Sequence, residues 1–85
     1  MLRIIVTENT NKLAVKTLAK NFFPDGFTIL KGKGFWGDTS EKSLLLLVAG
    51  EISPATIKAF CNQVNIFNNQ ECVMVIELPG EVSFI

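Results

Sequence analysis

The sequence predicts an α+β fold: a four-stranded antiparallel sheet with two helices on one of its faces. Three observations predict it. Segment types alternate strand, helix, strand, strand, helix, strand and use nearly every residue. Two stretches, Ala14 to Phe22 and Ile57 to Val64, place apolar side chains at helical spacing. A run of five aliphatic residues, Leu44-Leu45-Leu46-Leu47-Val48, is bounded by Ser43 and Gly50, as a buried strand would be. This order is the split βαβ, or ferredoxin-like, plan, whose usual spatial order, 4-1-3-2, puts strands one and three at the centre.

The first strand is read over Leu2 to Thr7, rich in Ile and Val. Leu2, Ile4 and Val6 share one face, and Arg3, Ile5 and Thr7 the other. Asn9 and Thr10 are expected helix caps. The first helix runs to about Phe23 and gathers Ala14, Val15, Leu18, Ala19 and Phe22 on one stripe. Lys12, Lys16 and Lys20 fall on another stripe, read as its wet side. Pro24-Asp25-Gly26 ends the helix.

The second strand is expected over Phe27 to Lys33. A glycine- and aromatic-rich connection then runs to about Glu41. The third strand is Lys42 to Ala49. A helix is the rival reading of its leucine run, but the run is short and falls where the plan needs a strand. Ser53 caps the second helix with Pro54 at its first position. Ile57, Phe60, Cys61 and Val64 form the core-facing stripe. Asn68-Asn69 can take the left-handed conformation that closes a helix. The fourth strand is Glu71 to Leu78, and Val82 and Phe84 are candidates for a short fifth.

Eighty-five residues make a single domain, residues 1–85. Apolar residues make up 48% and charged residues 19%, the composition of a folded globule. The net charge is zero, which argues against nucleic acid, since no basic excess would displace counterions from phosphates. It also leaves little long-range repulsion against self-association. Two cysteines, Cys61 and Cys72, with no histidine, make neither a disulfide framework nor a zinc site. They read as two buried thiols in a reducing compartment. The run Met1 to Val6 is too short for a secretion signal, and no apolar stretch approaches a membrane span. A soluble, cytoplasmic protein is expected.

Without histidine there is no Ser-His-Asp or Cys-His nucleophile pair. The carboxylates are scattered without the spacing of a catalytic dyad, so an enzyme is not expected and no cofactor is called for. An enzyme using Glu41 or Asp38 is the weakest of three readings. The strongest candidate ligand site is the connection Lys31, Gly32, Lys33, Gly34, Phe35, Trp36, Gly37 and Asp38. Its glycines let a ligand approach the backbone, its lysines suit an anion, and its aromatics can stack or anchor. It is not a nucleotide-binding P-loop, because no Gly-Lys-Ser/Thr follows at the required spacing.

The third strand is apolar on both faces: Leu44, Leu46 and Val48 on one, Leu45, Leu47 and Ala49 on the other. A sheet with one wet face should alternate apolar with polar. Ile5, Met74, Cys72 and Ile76 are expected to extend the second apolar face. Each aliphatic side chain left in water forgoes roughly 1.5–3 kcal/mol of burial. The second face is therefore expected to be covered by further copies of the chain, with Ile5, Leu45, Leu47 and Met74 at the contact. Glu81 to Ile85 folding across it is the alternative.

The βαββαβ order, with Gly32-Lys33-Gly34-Phe35 at the base of the strand 2–strand 3 connection, resembles the PII-like group, which includes nitrogen-regulatory signal proteins and CutA. The resemblance covers most of the chain as topology. It implies a regulatory homo-oligomer, a trimer, binding a small anionic metabolite or nucleotide in clefts between subunits near that connection. The sequence departs from the group in its short connection, its lack of tyrosine, and the absence of a glycine-lysine phosphate loop at Asn68-Asn69-Gln70. The pattern Asp25-Gly26-Phe27-Thr28, Gly34-Phe35-Trp36, Glu41, Gln70 and a Val-Ser-Phe-Ile ending also looks like small bacteriophage proteins. That likeness carries no activity and implies only action in the host cytoplasm. The second of the three readings is a protein-interaction module whose apolar face, with Phe35 and Trp36, docks on a different protein, a host protein if the chain is phage-encoded.

Overall fold

The computed structural model describes residues 1–83 and 85. The elements are β1 (Leu2–Glu8), α1 (Lys12–Phe22), β2 (Thr28–Trp36), β3 (Thr39–Ala49), α2 (Pro54–Asn68) and β4 (Met74–Leu78). The strands form one antiparallel sheet in the order β2-β3-β1-β4, so β1 and β3 are central as the plan requires. The architecture is α+β and compatible with a ferredoxin-like topology. The leucine run is strand throughout.

Local chemistry sets the helix ends. The Asn11 side chain accepts from the Ala14 N–H, so Asn11 caps α1 rather than Asn9 or Thr10. Ser53 accepts from the Thr56 N–H ahead of Pro54, as read from the sequence. Asn69 closes α2 in the left-handed conformation, φ 50°. Strand four starts at Met74, three residues later than expected. Among the described residues no strand follows Leu78, and Phe84, half of the expected fifth strand, lies outside the described residues.

Both helices pack on the same face of the sheet. Val15, Ala19 and Phe23 from the first helical segment meet Ile57, Phe60 and Val64 from α2 over Ile5, Leu44, Leu46 and Val48. Phe60 is fully buried, with the Phe23 and Phe22 ring centroids 4.9 and 5.8 Å away.

Ile5 corrects the sequence reading. Directly opposed residues of an antiparallel pair share a face, and Ile5 stands opposite Leu46. It is fully buried under the helices, not on the second apolar face. Its neighbours on that side, Arg3 and Thr7, are buried because they find partners. The Arg3 guanidinium Nη1 donates to the Ile52 carbonyl at 2.7 Å, and Thr7 Oγ1 donates to the Glu8 carbonyl at 3.2 Å. The residues of β1 on the uncovered face are Leu2, Ile4 and Val6, opposite Ala49, Leu47 and Leu45.

The cysteine reading also changes. Cys61 is half-buried on α2, whereas Cys72 is exposed just before β4.

Candidate functional site

Two surfaces stand out: the uncovered sheet face and a hairpin arm at one end of it. Cross-strand pairing places Leu2, Ile4 and Val6 of β1 beside Leu78, Ile76 and Met74 of β4 and beside Leu47 and Leu45 of β3. Leu30 of β2 stands opposite Leu45. Nine apolar side chains therefore form one continuous face with no helix over it. Leu30, Met74, Ile76 and Leu78 remain 39–49% exposed. Of the four residues expected at this face, Leu45, Leu47 and Met74 lie on it. No helix is long and apolar enough to cross a membrane among the described residues.

The segment read as a glycine-rich connection is mostly strand. β2 continues to Trp36, a two-residue turn at Gly37-Asp38 follows, and β3 begins at Thr39. Gly37 has φ +61°, a conformation glycine adopts without steric cost. β1 pairs with β3 only up to Ser43, so from Lys33 and Lys42 outward the hairpin is a two-stranded arm. Strand alternation then splits the expected ligand residues between two faces. Lys31, Lys33 and Phe35 share one face with Lys42, the partner of Lys33. Gly32, Gly34 and Trp36 lie on the other, which continues the uncovered sheet face. The eight residues do not converge on one pocket.

Each face of the arm has its own order. Lys33 Nζ lies 5.6 Å from the Phe35 ring centroid, a cation–π contact on an exposed surface. On the opposite face the Trp36 indole folds back along the strand. A Cβ added to Gly34 would lie 3.0 Å from Trp36 Nε1 and 3.5 Å from its Cε2, so the ring packs tightly over the glycine backbone and would have to shift by a few tenths of an ångström to admit a side chain. Trp36 Nε1 donates to Glu41 Oε1 at 3.1 Å across the hairpin.

Beside Trp36 the end of the sheet forms a groove of about 360 Å³. It is lined by Val6, Thr7, Glu8, Trp36, Glu41, Gln70, Glu71, Cys72 and Met74. Its far wall is the α2–β4 connection, which Gln70 fixes in place. Gln70 Oε1 accepts from the Glu8 N–H at 3.2 Å and from Asn68 Nδ2 at 2.7 Å. Gln70 Nε2 donates to the Cys72 carbonyl at 2.6 Å. Asn68 Nδ2 also donates to the Glu8 carbonyl at 3.0 Å.

Sequence reasoning missed this groove. Its three glutamates come from β1, β3 and the α2–β4 connection and meet only through strand register. The one readable signal was Trp36 five residues before Glu41, which a two-residue turn brings across the hairpin. Among the described residues no three His, Cys, Asp or Glu side chains are arranged to hold a metal ion, so these carboxylates line the groove without converging on a metal. Among the described residues no lysine or arginine lines it.

Burial pushes the Cys61 thiol above its ordinary value, because the thiolate loses solvation against the helix face. No protein-family model, no curated protein and no solved structure matches this chain.

Proposed function

We propose that the chain is a non-enzymatic, self-associating module whose uncovered sheet face is buried against further copies of itself. The observation that supports this is the continuous face of nine apolar residues opposite the helices, centred on Ile4, Leu45 and Leu47. Soluble monomers seldom expose an apolar patch larger than a few hundred Å². Another copy is the economical cover, since most oligomers are homomeric and closed. A trimer is the copy number that the PII-like topology suggests. Light scattering over a range of concentrations tests the reading. A mass at a multiple of 9.4 kDa supports it, and a 9.4 kDa species at every concentration overturns it.

A second reading keeps the small anionic ligand, metabolite or nucleotide, on the arm. Lys31, Lys33 and Lys42 share one exposed face. Among the described residues the ion pairs are Met1–Glu51 and Arg3–Glu77, which leave those lysines without a carboxylate. A thermal-shift series with ATP, ADP and inorganic phosphate tests it. Ligand at 100 times its dissociation constant adds about 2.7 kcal/mol of stability, and a flat response across the series removes this reading.

A further inference from the structure

The arm is chemically two-faced, and its faces complement one another. One carries Lys31, Lys33, Lys42 and Phe35, with Phe35 70% exposed at the tip. The other carries Trp36 and Glu41 and bounds the groove whose rim holds Glu8 and Glu71. The chain therefore bears an aromatic knob among lysines and an aromatic socket among glutamates, on opposite sides of one hairpin. Neither finds an ionic partner within its own chain among the described residues.

Building on the self-association above, we propose that the contact is head-to-tail. Phe35 of one copy enters the Trp36 groove of the next, and the first copy's arm lysines meet Glu8, Glu41 and Glu71 around the rim.

Two considerations carry this arrangement. The first is charge. The uncovered face presents Glu8 and Glu41 but no lysine or arginine on any of its four strands. Packing two such faces about a two-fold axis brings no cation to those carboxylates, whereas the lysine face of an arm brings three. The second is size. A dry cavity of about 150 Å³ accepts a benzene ring, so a groove of about 360 Å³ has room for the Phe35 ring and the stems of its flanking lysines. A head-to-tail contact closes into a ring when its rotation permits, and otherwise extends into a filament.

Charge reversal tests the pairing. Lys33 and Glu71 are both exposed, so reversing either leaves the core untouched. Lys33→Glu alone and Glu71→Lys alone are each expected to weaken association at least tenfold and shift the solution mass toward 9.4 kDa, with unchanged far-ultraviolet circular dichroism. The double variant, in which the two reversed charges meet at every contact, is expected to recover the wild-type mass. The proposal falls if the single variants keep the wild-type mass, or if the double variant does not recover it. Should a reversal impair folding, Lys33→Gln and Glu71→Gln give the same reading as severalfold weaker association. Leu47→Lys separates this proposal from the broader one. If it dissociates the assembly while both charge reversals are silent, the sheet-face reading stands and the knob-and-socket contact does not. A wild type that is monomeric throughout removes both.

Discussion

Single residues show how far burial, rather than identity, sets chemistry in this chain. The two thiols differ only in surroundings. Cys61 lies half-buried on α2 with its thiol pushed up by lost solvation, and Cys72 stands exposed at the groove. The thiolate is the reacting species, so at pH 8, and at a dilution that leaves the groove unoccupied, iodoacetamide is expected to modify Cys72 at least tenfold faster than Cys61, as read by peptide mass mapping. The same shift bears on stability. A group whose folded value is raised stabilises the fold fully below its unfolded value and loses that contribution as pH rises through the folded one. Wild type is therefore expected to lose stability above about pH 9, near the ordinary thiol value, and Cys61→Ala to lose less over the same interval. Equal slopes for the two proteins in urea melts between pH 8 and 10 would remove that attribution. Gly34 belongs to the same scale, because the Trp36 indole that reaches Glu41 packs directly over its backbone.

Elements differ in how much of them the sequence discloses. The helices were legible because a 3.6-residue stripe and a cap are local signals, and Ser53, Pro54 and the stripe from Ile57 to Val64 stand where they were read. The arm was not legible. Glycine is depleted in strands, so Gly32-Lys33-Gly34 reads as a connection until Glu41 and Lys42 are placed opposite as partners. Ile5 went to the wrong face for a related reason. Both faces of β1 carry aliphatic residues, and only the pairing with Leu46 decides which face the helices cover. The groove lies further still from local signals, since its far wall depends on the Gln70 side chain reaching Glu8, 62 residues away in sequence. Gln70→Ala removes the acceptor for the Glu8 N–H and for Asn68 Nδ2 and is expected to cost about 1–3 kcal/mol. At roughly 4–8 °C per kcal/mol for a domain this size, the melting temperature should fall visibly. Hydrogen exchange should quicken first at the Glu8 N–H, which loses its acceptor, and a change spread evenly over the sheet would contradict a local role for Gln70.

For the whole molecule, everything turns on the sheet having one face buried by its own helices and one apolar face left for something else. Adjacent residues of β3 test this directly, because they point to opposite sides. Leu46 is fully buried under the helices, whereas Leu47 sits on the uncovered face opposite Ile4. An 85-residue domain holds roughly 4–13 kcal/mol of stability at 0.05–0.15 kcal/mol per residue. Placing a lysine ammonium in the core at Leu46 costs an appreciable part of that or all of it, so Leu46→Lys is expected to unfold the chain or leave it marginal. Leu47→Lys forces no charge under the helices. Its expected outcome is a folded chain with near-wild-type circular dichroism, reduced binding of an apolar dye, and a solution mass at or near 9.4 kDa. The pair is informative because the chemical change is identical and the positions are neighbours. If both variants unfold alike, the second face is already buried within one subunit, and self-association loses its physical basis. If Leu47→Lys folds and still assembles with the wild-type mass, copies meet through some other surface, and the nine apolar residues await a different partner.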